Sequence, residues 1–189
     1  LDYIGAFGAN ALAEAYRRYQ SSLRRAGALD FDDLIAESVR MFLEFPEVGA
    51  RWSQRFEHVL VDEYQDTNHA QFRLVQALAA AHGNLFVVGD DDQSIYGWRG
   101  ADLANILDFE RAFPGAVTIR LEQNYRSTGN ILAAANAVIA NNAARKGKTL
   151  WCEREAGALL TFVLAPDEAE EAKRIRRHLE SRRAQGSGS

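Results

Sequence analysis

The fold turns on one stretch, His58-Val59-Leu60-Val61-Asp62-Glu63-Tyr64-Gln65-Asp66-Thr67. Three apolar residues, two of them β-branched, run together and stop at two acids. A short apolar run without alternation belongs in a strand covered on both faces. Three comparable runs follow: Leu85-Phe86-Val87-Val88, which ends in Gly89-Asp90; Val117-Thr118-Ile119-Arg120-Leu121; and Leu159 to Leu164. Segments with helical spacing separate them, roughly Asn68 to Ala81, Leu103 to Phe113, Thr128 to Ala143 and Asp167 to Arg183. Strand and helix in alternation predict an α/β fold, a parallel sheet flanked by helices. Ligands of such sheets lie beyond the carboxyl ends of the strands, so the polar residues after each run are the first candidates for chemistry.

The region ahead of the first strand reads as helical. Leu12, Ala15, Tyr16, Tyr19 and Leu23 mark one helix from about Asn10 to Ala26, closed by Gly27. Asp30 or Asp32 caps a second helix that stops before Pro46, and a short helix is expected around Val48 to Phe56. At 189 residues, 47% hydrophobic and 25% charged, the chain has an ordinary globular composition, enough for one large or two small domains. A boundary is expected near Phe113-Pro114-Gly115. No apolar run approaches the ~18 residues of a membrane span, so no membrane partner is expected. The net charge of −4 argues mildly against nucleic acid, but local charge decides binding. Arg17-Arg18 with Arg24-Arg25 form one basic cluster, and Lys173 to Arg183 another. The second is interleaved with Glu168, Glu170, Glu171 and Glu180, which predicts an ion-paired solvated face. The single cysteine, Cys152, excludes an internal disulfide and a cysteine-rich metal site, and His58, His69, His82 and His178 lack metal spacing. Leu1-Asp2-Tyr3 carries no initiating Met and no signal pattern, so the chain reads as the middle of a longer protein. Gly186-Ser187-Gly188-Ser189 reads as an engineered linker or tag remnant.

An apolar strand leading into Asp62-Glu63 is the Walker B arrangement of nucleoside triphosphatases. One carboxylate holds Mg²⁺, usually through water, and a second group orients or deprotonates the attacking water. Asp62 suits the first task and Glu63 the second. After the second run comes Val87-Val88-Gly89-Asp90-Asp91-Asp92-Gln93-Ser94-Ile95-Tyr96-Gly97-Trp98-Arg99-Gly100-Ala101. Gly89 is a place for the chain to turn. Aromatic residues beside a cation suit stacking on unpaired bases, and the competing reading of Tyr96 and Trp98 is that they are core residues. After the third run, Leu121-Glu122-Gln123-Asn124-Tyr125-Arg126-Ser127 leads into a helix capped by Ser127 or Thr128. Arg126 stands where a guanidinium can stabilise charge in phosphoryl transfer, and Tyr125 offers a flat face to adenine. A surface ion pair for Arg126 and a packing role for Tyr125 are the alternatives.

These three stretches, in this order, resemble motifs II, III and IV of the superfamily 1 DNA helicases of the UvrD/Rep/PcrA type. The resemblance implies a RecA-like parallel sheet, part of a second RecA-like domain and an N-terminal helical segment. It divides the chain into a remnant of accessory domain 1B (1–27), a motor domain 1A segment (28–113), the start of motor domain 2A (114–185) and the Gly-Ser tail (186–189). It implies ATP and Mg²⁺ as cofactors, with Glu63, Gln93 and Arg126 as catalytic residues and Asp62, Tyr125 and Arg99 as nucleotide-binding residues. Asp62 is the implied metal ligand, and Trp98 and Tyr96 the DNA contacts. Gln93 would sense the terminal phosphate or the attacking water, and Arg99 would link the DNA contact to the nucleotide. Single-stranded or tailed duplex DNA and the remaining helicase domains of the parent are the implied partners, in a bacterial cytoplasm at the nucleoid.

Gly147-Lys148-Thr149 imitates the tail of a phosphate-binding loop, but Asn142 stands where the pattern needs its first Gly, and helix rather than strand precedes it. The resemblance puts the true phosphate loop upstream of Leu1. The expectation is therefore part of an ATP-dependent 3′–5′ helicase, inactive by itself. The alternatives are the helicase portion of a RecB/AddA-type helicase-nuclease and a non-catalytic interaction module.

Overall fold

A run of Ala, Leu and Tyr at helical spacing, with no Pro and a Gly at its end, makes a long helix, α1 (Ala6–Ala26), and Gly27 closes it at φ 61°. The computed structural model describes residues 6–143, 145–184 and 186, so the readings of Leu1-Asp2-Tyr3 and of the last three residues fall outside the described residues. The chain forms two compact units. The first runs to Ile119 and takes in the returning segment Asn142–Gly147; the second holds Arg120–Asn141 and the residues from Lys148 onward.

In the first unit, Asp30 caps α2 (Phe31–Glu44) through a reciprocal box with Asp33: the Asp33 N–H donates to Asp30 at 2.8 Å and the Asp30 N–H to Asp33 at 3.2 Å. Tyr19 donates to the same Asp30 at 2.9 Å and Gln20 to Asp33 at 3.2 Å, which ties α1 to the start of α2. Pro46 stops α2 and, as first residue, starts α3 (Pro46–Arg55). Asn68 and Gln71 make a second capping box, both bonds 2.9 Å, ahead of α4 (His69–Ala79). Helices α2, α3 and α4 pack together. Ser53, 1% exposed, stitches them by donating to the Leu78 carbonyl and accepting from the Ala81 N–H.

The acid-terminated run forms β1 (Val59–Val61), and α4 carries the chain to β2 (Leu85–Val87), parallel to it in the register Val59 to Leu85, Leu60 to Phe86 and Val61 to Val87. The sheet has these two strands alone among the described residues, and its burial alternates. Val59, Val61, Leu85 and Val87 are half-buried, whereas Leu60 is 73% and Phe86 61% exposed. The expectation of strands covered on both faces is thus corrected: one face is open.

The expected third and fourth strands are also corrected. Val117 to Leu121 and Leu159 to Leu164 form no ladder, and side chains there stand in solvent, Phe162 at 90%. β-Branched sequence favours extension, but a strand exists only against a neighbour. A neighbour is met only past the third run, where Gln123 bridges Trp151 in parallel, with Asn124 N–H donating to Trp151 O at 2.7 Å. The helix expected over Leu103 to Phe113 is two short pieces, α5 (Ala104–Leu107) and α6 (Phe109–Ala112), broken at Asp108. The architecture is a mixed helix and strand fold with a small parallel sheet.

In the second unit, α7 (Gly129–Ile139) begins after Thr128, but the Thr128 side chain makes no cap bond, and Ser127 is not the cap. Instead the first helical N–H groups, of Gly129 and Asn130, donate to the carbonyls of Glu155 and Ala156. Gly157, at φ 76°, leaves the room Thr128 occupies: a Cβ there would stand 2.5 Å from its hydroxyl. Asn136 exchanges hydrogen bonds with the backbone of Leu150, so the 150–158 loop is fastened along α7. Helix α8 (Glu168–Ala184) is capped by Asp167, which accepts from Glu170 N–H at 2.7 Å. Its bases pair with Glu170 and Glu180, the expected ion-paired face. No helix of the described residues is long and apolar enough to cross a membrane.

The packing of the first unit centres on Tyr64, which is fully buried and meets Phe109 edge-on at 5.5 Å. Its hydroxyl has no hydrogen-bond partner among the described residues. Burial pushes the phenol from 10.0 up to about 12. Because the folded-state value is raised, this group's contribution to stability is intact below pH 10 and is lost as pH rises through about 12. Tyr64→Phe is expected to hold stability within ~1 kcal/mol or raise it, since it removes a buried hydroxyl without a partner. Thermal melts from neutral to alkaline pH check this, and the variant's alkaline loss of stability is expected to be shallower.

Candidate functional site

The two parallel strands release their polar sequences at the same edge. Asp62 and Glu63 follow β1 and are exposed, while Tyr64 and Gln65, the next two residues, turn inward and are buried. The reversal is made by Glu63, which takes φ 49°, ψ 43° and is the only non-glycine residue at positive φ among the described residues. A left-handed non-glycine residue costs roughly 1 kcal/mol or more and is found where surroundings enforce it. Here the Asp62 carboxylate accepts the Glu63 N–H at 2.9 Å, and Tyr64 N–H donates to Val88 O at 2.9 Å. A 3₁₀ turn, Tyr64–Asp66, follows.

Gln65 joins the two strand exits. Its Nε2 donates to Glu63 Oε2 at 2.8 Å, and its Oε1 accepts the Asp90 N–H at 2.9 Å. Gly89 serves this contact. Its φ is not in the left-handed region, so the expected sharp turn is not its reason. A Cβ there would lie 2.8 Å from Ile106 Cδ1 and 2.9 Å from Gln65 Oε1, so a larger residue would have to displace both side-chain ends. Asp90 then organises the loop: one carboxylate oxygen accepts Asp92 N–H at 3.0 Å and the other accepts Gln93 Nε2 at 2.7 Å. Gln93 is exposed.

Further along the loop, Arg99 lies over both aromatic rings, 5.2 Å from the Tyr96 centroid and 4.7 Å from that of Trp98. The rings are 6.4 Å apart and tilted by 48°. Trp98 is 75% exposed and Tyr96 37%, so neither is a core residue. The base of this loop is sewn to the first: Asp102 N–H and buried Asn105 Nδ2 both donate to Thr67 O.

The acidic triplet meets a partner that sequence reading did not find. Arg145, from the returning segment, grips Asp92 with two bonds of 2.8 and 2.6 Å, both side chains largely buried. Lys146 N–H donates to Asp91 at 2.7 Å, and its Nζ reaches Glu110 at 2.7 Å. The lysine, and then Thr118, hold Glu110 down to about 2; Asp92 raises Arg145 above its ordinary value. Gln65 and Arg145 were both missed. The signals for them were a polar residue inside an acid-rich turn and a cation 53 positions from its partner.

Arg126 and Tyr125 belong to the second unit, whereas Asp62, Glu63, Gln93, Tyr96, Trp98 and Arg99 belong to the first. Both are exposed. Asn124 builds their turn, its Oδ1 accepting from the N–H groups of Arg126 and Ser127 at 2.9 and 2.8 Å. Arg154 donates to the Arg126 carbonyl at 2.7 Å, and Tyr125 donates to Gln123. Gly147-Lys148-Thr149 lies in irregular chain after α7 and follows no strand, as the sequence reading required.

The chain matches the family model described as UvrD/REP helicase N-terminal domain over residues 4–114 and that of the UvrD-like helicase C-terminal domain over 119–187. It is 52% identical over 180 residues to the ATP-dependent DNA helicase UvrD1 of Mycobacterium tuberculosis, covering 92% of this chain and 23% of that protein. It is 54% identical over 164 residues to the ATP-dependent DNA helicase PcrA of Leuconostoc citreum, with 87% and 22% covered. PcrA of Staphylococcus aureus is 52% identical over 168 residues, with 89% and 23% covered. The chain thus spans less than a quarter of the length of the curated relatives it matches. With both models matched in order, and the acid pair and the aromatic loop lying inside the first, the chain belongs to the UvrD/REP helicase family.

Proposed function

We propose that this chain is part of an ATP-dependent DNA helicase motor that steps 3′ to 5′ along single-stranded DNA in the bacterial cytoplasm. The observation that carries the reading is the Gln65 bridge, which ties the Glu63 carboxylate to the loop bearing Gln93 at one sheet edge. Glu63 orients and deprotonates the attacking water, and Gln93 senses the terminal phosphate. Arg126 stabilises the charge that develops there, and Tyr125 stacks on the adenine. The Tyr96–Arg99–Trp98 plate supports a DNA-contact role, with Trp98 presenting its face to bases and Arg99 linking that face to the nucleotide. The two α/β segments, 28–113 and 114–185, are parts of two RecA-like domains, and 1–27 is the end of an accessory domain.

The donor chemistry at β1 fits Mg²⁺. That ion takes one or two protein carboxylates and fills its remaining positions with water and phosphate oxygens. Asp62, an exposed carboxylate at a strand exit, suits such a site; among the described residues no group of three or more His, Cys, Asp or Glu is arranged to hold a metal. Bound with ATP, Mg²⁺ supplies neutralisation of phosphate charge.

Within these 189 residues no Gly-x-x-x-x-Gly-Lys-Ser/Thr sequence occurs. Purified residues 1–189 are therefore expected to show negligible ATP turnover, while the full-length parent is stimulated by single-stranded DNA. Phosphate release measured on both, with and without oligonucleotide, checks this, and substantial turnover by the short chain would contradict it. In the parent, Trp98→Ala is expected to weaken single-strand affinity by about tenfold, within the ~1–3 kcal/mol of a base stack, and to reduce DNA stimulation. Basal nucleotide binding is expected to change little. Fluorescence anisotropy on a labelled oligonucleotide reads the first effect, and unchanged affinity and stimulation would remove the stacking role.

A further inference from the structure

Gln65 is 1% exposed, yet it spends its amide N–H on a surface carboxylate. Most side-chain hydrogen bonds in proteins go to main chain or water rather than to another side chain. This amide has one hand on the Glu63 side chain and the other on the Asp90 N–H, while the residue's own carbonyl accepts from Ser94 Oγ at 3.4 Å. Glu63 is otherwise a solvent-exposed side chain with several torsions, and its backbone is held in the left-handed region. The Gln65 bond selects one orientation of the carboxylate. From Asp90 the chain of bonds continues through its carboxylate to Gln93 Nε2 at 2.7 Å. Glu63 and Gln93, 30 positions apart in sequence, are thus linked through one buried amide and one aspartate. Gly89 keeps the passage open, since a Cβ there would press on Gln65 Oε1.

We propose that Gln65 is a positioning residue, which fixes the Glu63 carboxylate against the Asp90–Gln93 loop so that the two groups address one water and one phosphate together. This rests on the reading of Glu63 and Gln93 given under Proposed function.

The test uses three variants of the full-length parent. Gln65→Met keeps the volume and removes both bonds. Gln65→Glu keeps the shape and the acceptor for the Asp90 N–H but removes the amide donor that holds Glu63. Gln65→Met is expected to lower kcat for DNA-stimulated ATP hydrolysis by about tenfold or more with KM for ATP changed less than about threefold, as for a misplaced catalytic group. Gln65→Glu, which keeps the bond to the Asp90 N–H and loses the one to Glu63, is expected to lower kcat likewise, with KM for ATP changed less than about threefold. Unchanged kcat in both variants would overturn the proposal. So would a parent-like kcat in Gln65→Glu alone, which keeps the test decisive even if Gln65→Met fails to fold. Glu63→Gln separates this from the underlying reading. If Glu63→Gln hydrolyses ATP normally, the role of Glu63 itself fails; if it is inactive while the Gln65 variants behave as the parent does, only the positioning role fails.

Discussion

The parallel pairing of Val59–Val61 with Leu85–Val87 is the constraint from which the rest of the first unit follows. Parallel strands emit their carboxyl ends on the same side, so two loops distant in sequence arrive together without further instruction. The pairing extends past the strands proper, through Val88 N–H to Val61 O and Tyr64 N–H to Val88 O, and hands the chain to a turn that leaves Asp62 and Glu63 outside and sends Tyr64 and Gln65 inward. Thr67 and Asn105 then bind the foot of the second loop to the first. The buried residues include Ser53, Asn105 and Gln65, each of which hydrogen-bonds main chain distant in sequence.

The acidic triplet shows how charge is apportioned among neighbours. Asp90 faces inward to its own loop, binding Asp92 N–H and Gln93. Asp91 and Asp92 face the returning segment, where a lysine N–H and a forked guanidinium meet them. A bidentate pair at 16% and 11% side-chain exposure is far less screened by solvent than helix-surface pairs such as Arg18 with Glu14. Three adjacent aspartates thus join the loop's own turn to the returning segment, and all three act on Arg145.

Much of the fold was legible because its signals are local. Helix limits came from caps and breakers: Asp30, Gly27 and Pro46 each act on residues within one turn. The first two strands were legible as apolar runs, and the acids after Val61 and Gly89 follow from where those runs stop. The family followed from three ordered motifs. What was not legible depends on partners far along the chain. Val117 to Leu121 has strand composition but no ladder, since extension needs a neighbour that composition cannot name. The start of α7 looked like a hydroxyl cap at Ser127 or Thr128, yet carbonyls from Glu155 and Ala156 do the work. In the candidate site, the outward acids were readable from position alone, whereas the inward Gln65 and the remote Arg145 were not.

Glu63 holds a backbone conformation that glycine or asparagine would occupy with less strain. Selection on folding alone therefore favours glycine or asparagine over glutamate at this position. Efforts to harden such a protein against heat by accepting every substitution that raises its melting temperature would drift toward relaxing this corner first. They would yield a sturdier scaffold whose acid pair had been quietly dismantled.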